Sequence, residues 1–206
     1  MGSAGNTIHG AIRNPELRSI LRADTTVTTE FAPLAADDDW FKASQVHAAG
    51  ENLTLAISTW TNAFCPKHPV VPVIVTTEDT GDTFTAVSTI LTGYDQFGDF
   101  ISETVAHTNS SGTWTGTAVK AYDILVTASV TVTGTTTTSD ATIIGYAKTY
   151  GLSKRIRASG DVVVSMFDGA ADAGTLSVAN QTYVVAGTPD GAKFLTLRIR
   201  GGYYMP

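Results

Sequence analysis

From residue 84 to residue 152 the chain is a succession of short Thr- and Val-rich runs, each closed by a turn signal, and that pattern leaves few folds open to it. Residues 84–94 alternate in part, setting Phe84, Ala86, Ser88, Ile90, Thr92 and Tyr94 on one side, which is the two-residue period of a strand. Residues 95–99, with Gly98 among them, turn the chain. Residues 100–107 return, with Ile101 and Val105 opposite Phe100 and Thr104. Two strand-like runs about a Gly-containing loop predict a hairpin. Further runs lie around Trp114, over residues 119–133 and over residues 141–146, the last two separated by the polar stretch 135–139. Upstream, residues 53–57 alternate loosely, and residues 69–75 form an apolar run whose two prolines predict an edge strand or strand start rather than a central strand. Six to seven strands with turn signals near this spacing predict an antiparallel β-sandwich.

The flanks read differently. Residues 14–22 predict a short helix, capped by Asn14, with Pro15 in the first turn and Leu17, Ile20 and Leu21 on one face. So short a helix is unstable alone and must dock its apolar face on something. Residues 24–36 are Thr-rich and then broken by Pro33, which predicts an extended arm. Asp37-Asp38-Asp39 lacks the Gly and the spaced oxygen ligands of a calcium loop, so a solvated turn or helix start is expected there. Beyond Leu152, residues 161–167 predict a strand ending at the turn pair Asp168-Gly169. Residues 181–186 and 193–200 flank Asp190-Gly191, a strong hairpin signal. The expected class is therefore all-β: an antiparallel β-sandwich core (51–150), an extended N-terminal arm with a short helix (1–50), and a C-terminal β-hairpin extension or small subdomain (151–206).

Residues able to do chemistry are few and scattered. Cys65-Pro66-Lys67-His68 offers two metal ligands where a structural zinc needs four. His9, His47 and His107 stand apart, and no nucleophile elbow, phosphate loop or dinucleotide fingerprint occurs. The expectation is no catalytic residue, no metal site, no cofactor and no enzymatic activity. Cys65 is the single cysteine, so no internal disulfide holds the fold, and synthesis in a reducing cytoplasm is expected. No apolar run approaches the length of a membrane span, and no secretory signal is visible at the start. From Lys148 onward seven basic residues stand against four acidic ones, so that portion is +3 while the rest carries −9. This asymmetry suits an electrostatically distinct docking face for an acidic protein partner and is too small for nucleic acid.

Three segments carry a resemblance: Thr92-Gly93-Tyr94-Asp95-Gln96-Phe97-Gly98-Asp99-Phe100-Ile101-Ser102-Glu103-Thr104, then Lys120-Ala121-Tyr122, then Gly145-Tyr146-Ala147-Lys148-Thr149-Tyr150-Gly151-Leu152. In this order they resemble small β-rich virion proteins of tailed bacteriophages, most of all capsid decoration (cement) proteins. The resemblance implies a structural protein on the capsid surface of a virion, binding the major capsid protein and copies of itself as a homotrimer, with no membrane or nucleic-acid partner. It transfers no catalytic residue. The expected contacts lie outside the resembling stretch: Arg13, Leu17, Ile20 and Arg22 in the arm, and Arg155, Arg157, Tyr203 and Tyr204 toward the other end. A tail, neck or baseplate component is the alternative of the same class. A carbohydrate-binding or host-adhesion module, using Trp60 or Trp114 as a sugar platform, is the alternative of another class.

Overall fold

The structure is a computed structural model that describes residues 25–79 and 83–201. Its strands, in chain order, are β1 (Thr25–Phe31), β2 (Asp37–Val46), β3 (Gly50–Glu51), β4 (Thr54–Ile57), β5 (Val70–Thr77), β6 (Ala86–Asp95), β7 (Phe100–Ala106), β8 (Thr108–Ser110) and β9 (Thr113–Thr117). They continue with β10 (Tyr122–Thr133), β11 (Thr135–Thr136), β12 (Ala141–Gly151), β13 (Val162–Phe167), β14 (Ala170–Ala171), β15 (Thr175–Ser177), β16 (Thr182–Val184) and β17 (Leu195–Gly201). The fold is all-β and sandwich-like, built from antiparallel sheets.

Most strands belong to one sheet that curls. β12 runs beside β5 along one edge and beside β2 and then β16 along the other. β5 continues to β9, and β9 to β8. A second layer is ordered β4-β10-β6-β7. The layers join where Tyr122 of β10 pairs with Val70 of β5. Alternation decides what lies between them. On β6, Val87, Thr89, Leu91 and Gly93 are buried while Ser88, Ile90, Thr92 and Tyr94 turn outward. Leu91, Val130 and Val132 from one layer meet Phe41, Ile74 and Ile144 from the other in one buried cluster.

The β6–β7 hairpin forms as its sequence predicts. Asp95 Oδ1 accepts the N–H groups of Phe97 (2.8 Å) and Asp99 (2.9 Å), and Gly98 takes the left-handed φ of +81° that its place in the loop requires.

A four-stranded sheet, β1-β17-β13-β14, is made from the far ends of the described chain. Its edge strand β1 pairs with β17 from Thr25↔Gly201 to Phe31↔Leu195. Leu195, Leu197 and Ile199 of β17 are fully buried and belong to the same apolar cluster as the sandwich. This sheet therefore shares its core with the rest of the molecule.

Several local expectations give way to tertiary pairing. Pro69 stands just before the start of β5, as a strand-start proline should, but with Pro72 inside it β5 is a central strand. Ala118 donates to the Pro72 carbonyl (3.0 Å), but proline has no N–H to return, and the β9 ladder ends one residue away at Thr117. Residues 25–31, expected in an arm, form β1. Asp37-Asp38-Asp39, expected in a turn or helix start, opens β2, which lies against β12 where Gly145 stands. A Cβ on Gly145 would sit 2.0 Å from the Asp37 carbonyl, so only glycine admits this approach. Asp190-Gly191 closes no hairpin, because the strand before it, β16, pairs with β12 and β15 while the strand after it, β17, pairs with β1 and β13. Asp190 Oδ1 instead holds the N–H groups of Ala192 and Lys193 (both 2.9 Å) in a loop that crosses between sheets. The tight C-terminal hairpin is β13–β14, where Asp168 and Gly169 take φ of +54° and +76°, as a two-residue turn of the primed type demands. The helix expected over residues 14–22 lies outside the described residues.

Candidate functional site

Among the described residues, the cysteine and the three histidines make hydrogen bonds within the fold, and His9 lies outside the described residues. The Cys65 thiol donates to Asp123 Oδ1 at 3.1 Å, and burial and that carboxylate push its pKa up to about 12, leaving it a thiol and a poor nucleophile. His68 turns elsewhere, donating from Nε2 to the Gly151 carbonyl (2.7 Å) and stacking on Phe31 at 4.0 Å. His47, Thr142 and Asp140 come together in a way the sequence order does not suggest: His47 Nε2 lies 2.9 Å from Thr142 Oγ1, which also bonds Thr76 Oγ1 at 2.9 Å. All of these are buried, and Asp140 spends its carboxylate on the N–H groups of Asp79 (2.8 Å) and Thr137 (2.7 Å). A hydroxyl closed off from solvent reaches no substrate, so this is a buried polar brace. His107 is placed alike, 2.9 Å from Thr89 Oγ1. Burial lowers the pKa of His47, His68 and His107, so each is held neutral inside the fold. The carboxylates of Asp37, Asp38 and Asp39 lie within 4.8 Å of one another, and the hydrogen bond from Asp37, with burial and the neighbouring charges, raises the Asp39 pKa.

The tryptophans do not form a sugar platform together. Trp114 is buried against Phe84, with its indole N–H on Glu78 Oε2 at 3.0 Å. Trp60 packs against the core and donates to the Val126 carbonyl at 3.1 Å.

Two surfaces remain. The first lies around the end of β17. The pair Thr25↔Gly201 ends the β1–β17 ladder, so the first and last described residues lie side by side at one corner. Arg200 is exposed beside it, and Asp161 lies in the field of both Arg200 and Arg157. Asp161 also accepts the N–H groups of Arg157 (2.8 Å) and Ala158 (3.0 Å), the main reason its carboxyl is held below its ordinary range. Arg157, an expected contact, thus sits at this corner. Arg155 does not: its guanidinium stacks over the Phe97 ring at 4.3 Å and pairs with Asp99, both in the β6–β7 loop. There it borders a small cleft of about 130 Å³, also lined by Lys120 and Gln181. Arg13, Leu17, Ile20, Arg22, Tyr203 and Tyr204 lie outside the described residues.

The second surface is the outward face of the β4-β10-β6-β7 layer, which carries none of the contacts expected from the sequence. Thr54, Thr131, Ser88 and Ala106 lie side by side across the four strands, and Ala56, Ser129, Ile90 and Thr104 form the next row. Thr127, Thr92 and Ser102 follow, and Ile124, Tyr94 and Phe100 close the face. None of these positions is charged. Its signal was in the sequence: the residues on the Ser88–Tyr94 side of β6 and the Phe100–Thr104 side of β7 include no Lys, Arg, Asp or Glu.

No family model, no curated protein and no solved structure matches the chain.

Proposed function

We propose that this chain is a structural protein of a tailed-phage virion, one that decorates and stabilises the capsid. One observation carries the reading beyond the sequence resemblance: the β1–β17 ladder starts both terminal segments from the same corner, next to Arg157 and Arg200. Six of the eight expected contact residues adjoin this corner in sequence, and the capsid subunit is proposed to lie against it. The segment order in the sequence resemblance supports the same reading. Its Gly93–Thr104 stretch makes the β6–β7 hairpin, Lys120-Ala121-Tyr122 leads into β10, and Gly145–Leu152 carries the second half of β12, so the resembling residues supply the rigid body. Binding would act by mass action: a protein that binds the assembled shell and not the free subunit favours the shell.

The test is a truncation. Because Thr25–Phe31 is part of the body, the cut falls after residue 24. The shortened protein is expected to keep its unfolding temperature and to lose most of its binding to undecorated shells of the same phage in a co-pelleting assay. Undiminished co-pelleting of the folded truncation, or failure of the whole chain to bind shells, would overturn the reading.

A further inference from the structure

We infer that the uncharged outward face of the β4-β10-β6-β7 layer is a self-association surface, packing on the same face of a second copy about a twofold axis. A sheet face left to water normally alternates toward polar and charged side chains, and charge is the usual device that keeps such faces apart. Here, in a chain of net charge −6, the paired outward positions of four adjacent strands are all Thr, Ser, Ala, Ile, Tyr or Phe, and Val126 stands exposed at a bulge in β10. A strongly charged partner would find nothing complementary on it. A partner that fits must be equally flat and uncharged, and the molecule itself offers such a surface.

Part of the polar cost of burying this face is already met within the sheet. Thr92 and Thr127 hydroxyls already bond each other at 2.6 Å across β6 and β10, and Thr54 and Thr131 do so at 3.2 Å across β4 and β10. Hydroxyls paired within the sheet lose little when water leaves, whereas unpaired ones would carry the full desolvation penalty. At one end stands a ready anchor: Tyr94 and Phe100 are 41% and 60% exposed, with their rings edge to face at 5.4 Å. Exposed aromatics held in place by a neighbour lose little side-chain freedom on binding, and aromatic anchors dominate interface energetics. Ile90, also exposed, extends the apolar strip along β6.

The area is adequate and not generous. Four strands at a spacing of about 4.8 Å and a mean length near eight residues give a footprint of roughly 500 Å² per copy. Two copies face to face would bury on the order of 1,000 Å², the lower bound for a specific interface. The association should therefore be reversible and concentration-dependent, with sheets about 10 Å apart.

Sedimentation equilibrium on the full chain, from micromolar to near-millimolar protein, tests this. The unmodified protein is expected to pass from monomer to dimer as concentration rises. Thr104→Lys, at an exposed position on β7, and Thr92→Lys, at the centre of the face, should each weaken dimerisation at least roughly tenfold, the effect of removing about 1.4 kcal/mol. Arg198→Ala, on the other sheet, should change nothing, and circular dichroism should show all three folded. A protein monomeric throughout, or any oligomer that survives both lysines unchanged, would overturn the inference. So would a threefold association, or protection of this face by capsid shells alone.

Discussion

The molecule contains two seven-pair antiparallel ladders of equal length and opposite origin. β6 and β7 pair from Ser88↔Ala106 to Tyr94↔Phe100, across a loop that one aspartate and one glycine organise. β1 and β17 pair from Thr25↔Gly201 to Phe31↔Leu195, with nearly the whole described chain between them. The first needs only its own residues to find its register. The second can close only after everything between its strands has folded, because the entropy of closing so long a loop must be offset by other contacts first. Their outward faces differ as well. The outward positions of β6–β7 are uncharged, whereas β17 exposes Arg198 and Arg200 and β1 exposes Glu30. One ladder suits contact with a like surface, and the other offers charge beside the point where both terminal segments begin.

The largest expected effect asks whether these ladders are one cooperative structure. Leu91 of β6 and Leu197 of β17 are 0% and 1% exposed and lie in one cluster. Leu91→Ala and Leu197→Ala should each cost about 2–5 kcal/mol, and each should shift the same single calorimetric transition. Two separable transitions, with Leu197→Ala moving just one, would show that the chain-end sheet melts by itself.

A smaller effect comes from protons. His107 lies buried behind β6 against Thr89, and His68 stacks half-buried on Phe31 of β1, so each ladder has its own imidazole. Burial lowers both pKa values from 6.5, and that of His47 likewise. Below that pH the unfolded chain takes up protons that the folded chain refuses. The stability these residues contribute is full above about pH 6.5 and falls as the pH drops toward their folded-state values. Urea unfolding at a series of pH values should show this decline, and His107→Gln or His68→Gln should each flatten it. A stability level between pH 7 and pH 5 would rule out the mechanism for both ladders.

The smallest effect concerns the link from the hairpin loop to the chain beyond β12. Arg155 stacks on Phe97 and pairs with Asp99, but its side chain is 50% exposed. Exposed pairs and cation–π contacts of this kind each contribute about 1 kcal/mol or less. Arg155→Ala should therefore lower the thermal midpoint by at most a few degrees. A loss as large as that of Leu197→Ala would mean that the loop is a keystone between the two regions.

The all-β class and the β6–β7 hairpin were legible in the sequence because both rest on short-range physics. Alternation over residues 86–95 sets two faces, and Asp95 and Gly98 bring the chemistry of the turn with them. Arg155 and Arg157 were named from their charge, yet their roles diverge because one meets a loop 56 residues earlier in the chain and the other a carboxylate four residues on. The outward face of β4-β10-β6-β7 could have been suspected from its lack of charge. That its four strands adjoin was not written in any one of them.

By itself, then, the sequence determined what local periodicity and turn chemistry can determine: an all-β class and the β6–β7 hairpin. Tertiary structure alone decided the rest. It put a proline-bearing run at the centre of a sheet, made a strand of three aspartates where Gly145 leaves room, sent the strands around Asp190-Gly191 to different sheets, and joined β1 to β17. Each of these depends on which distant strand offers a complementary buried face. That choice is made by the shared apolar core, whose members, from Phe41 to Ile199, meet only in the folded chain.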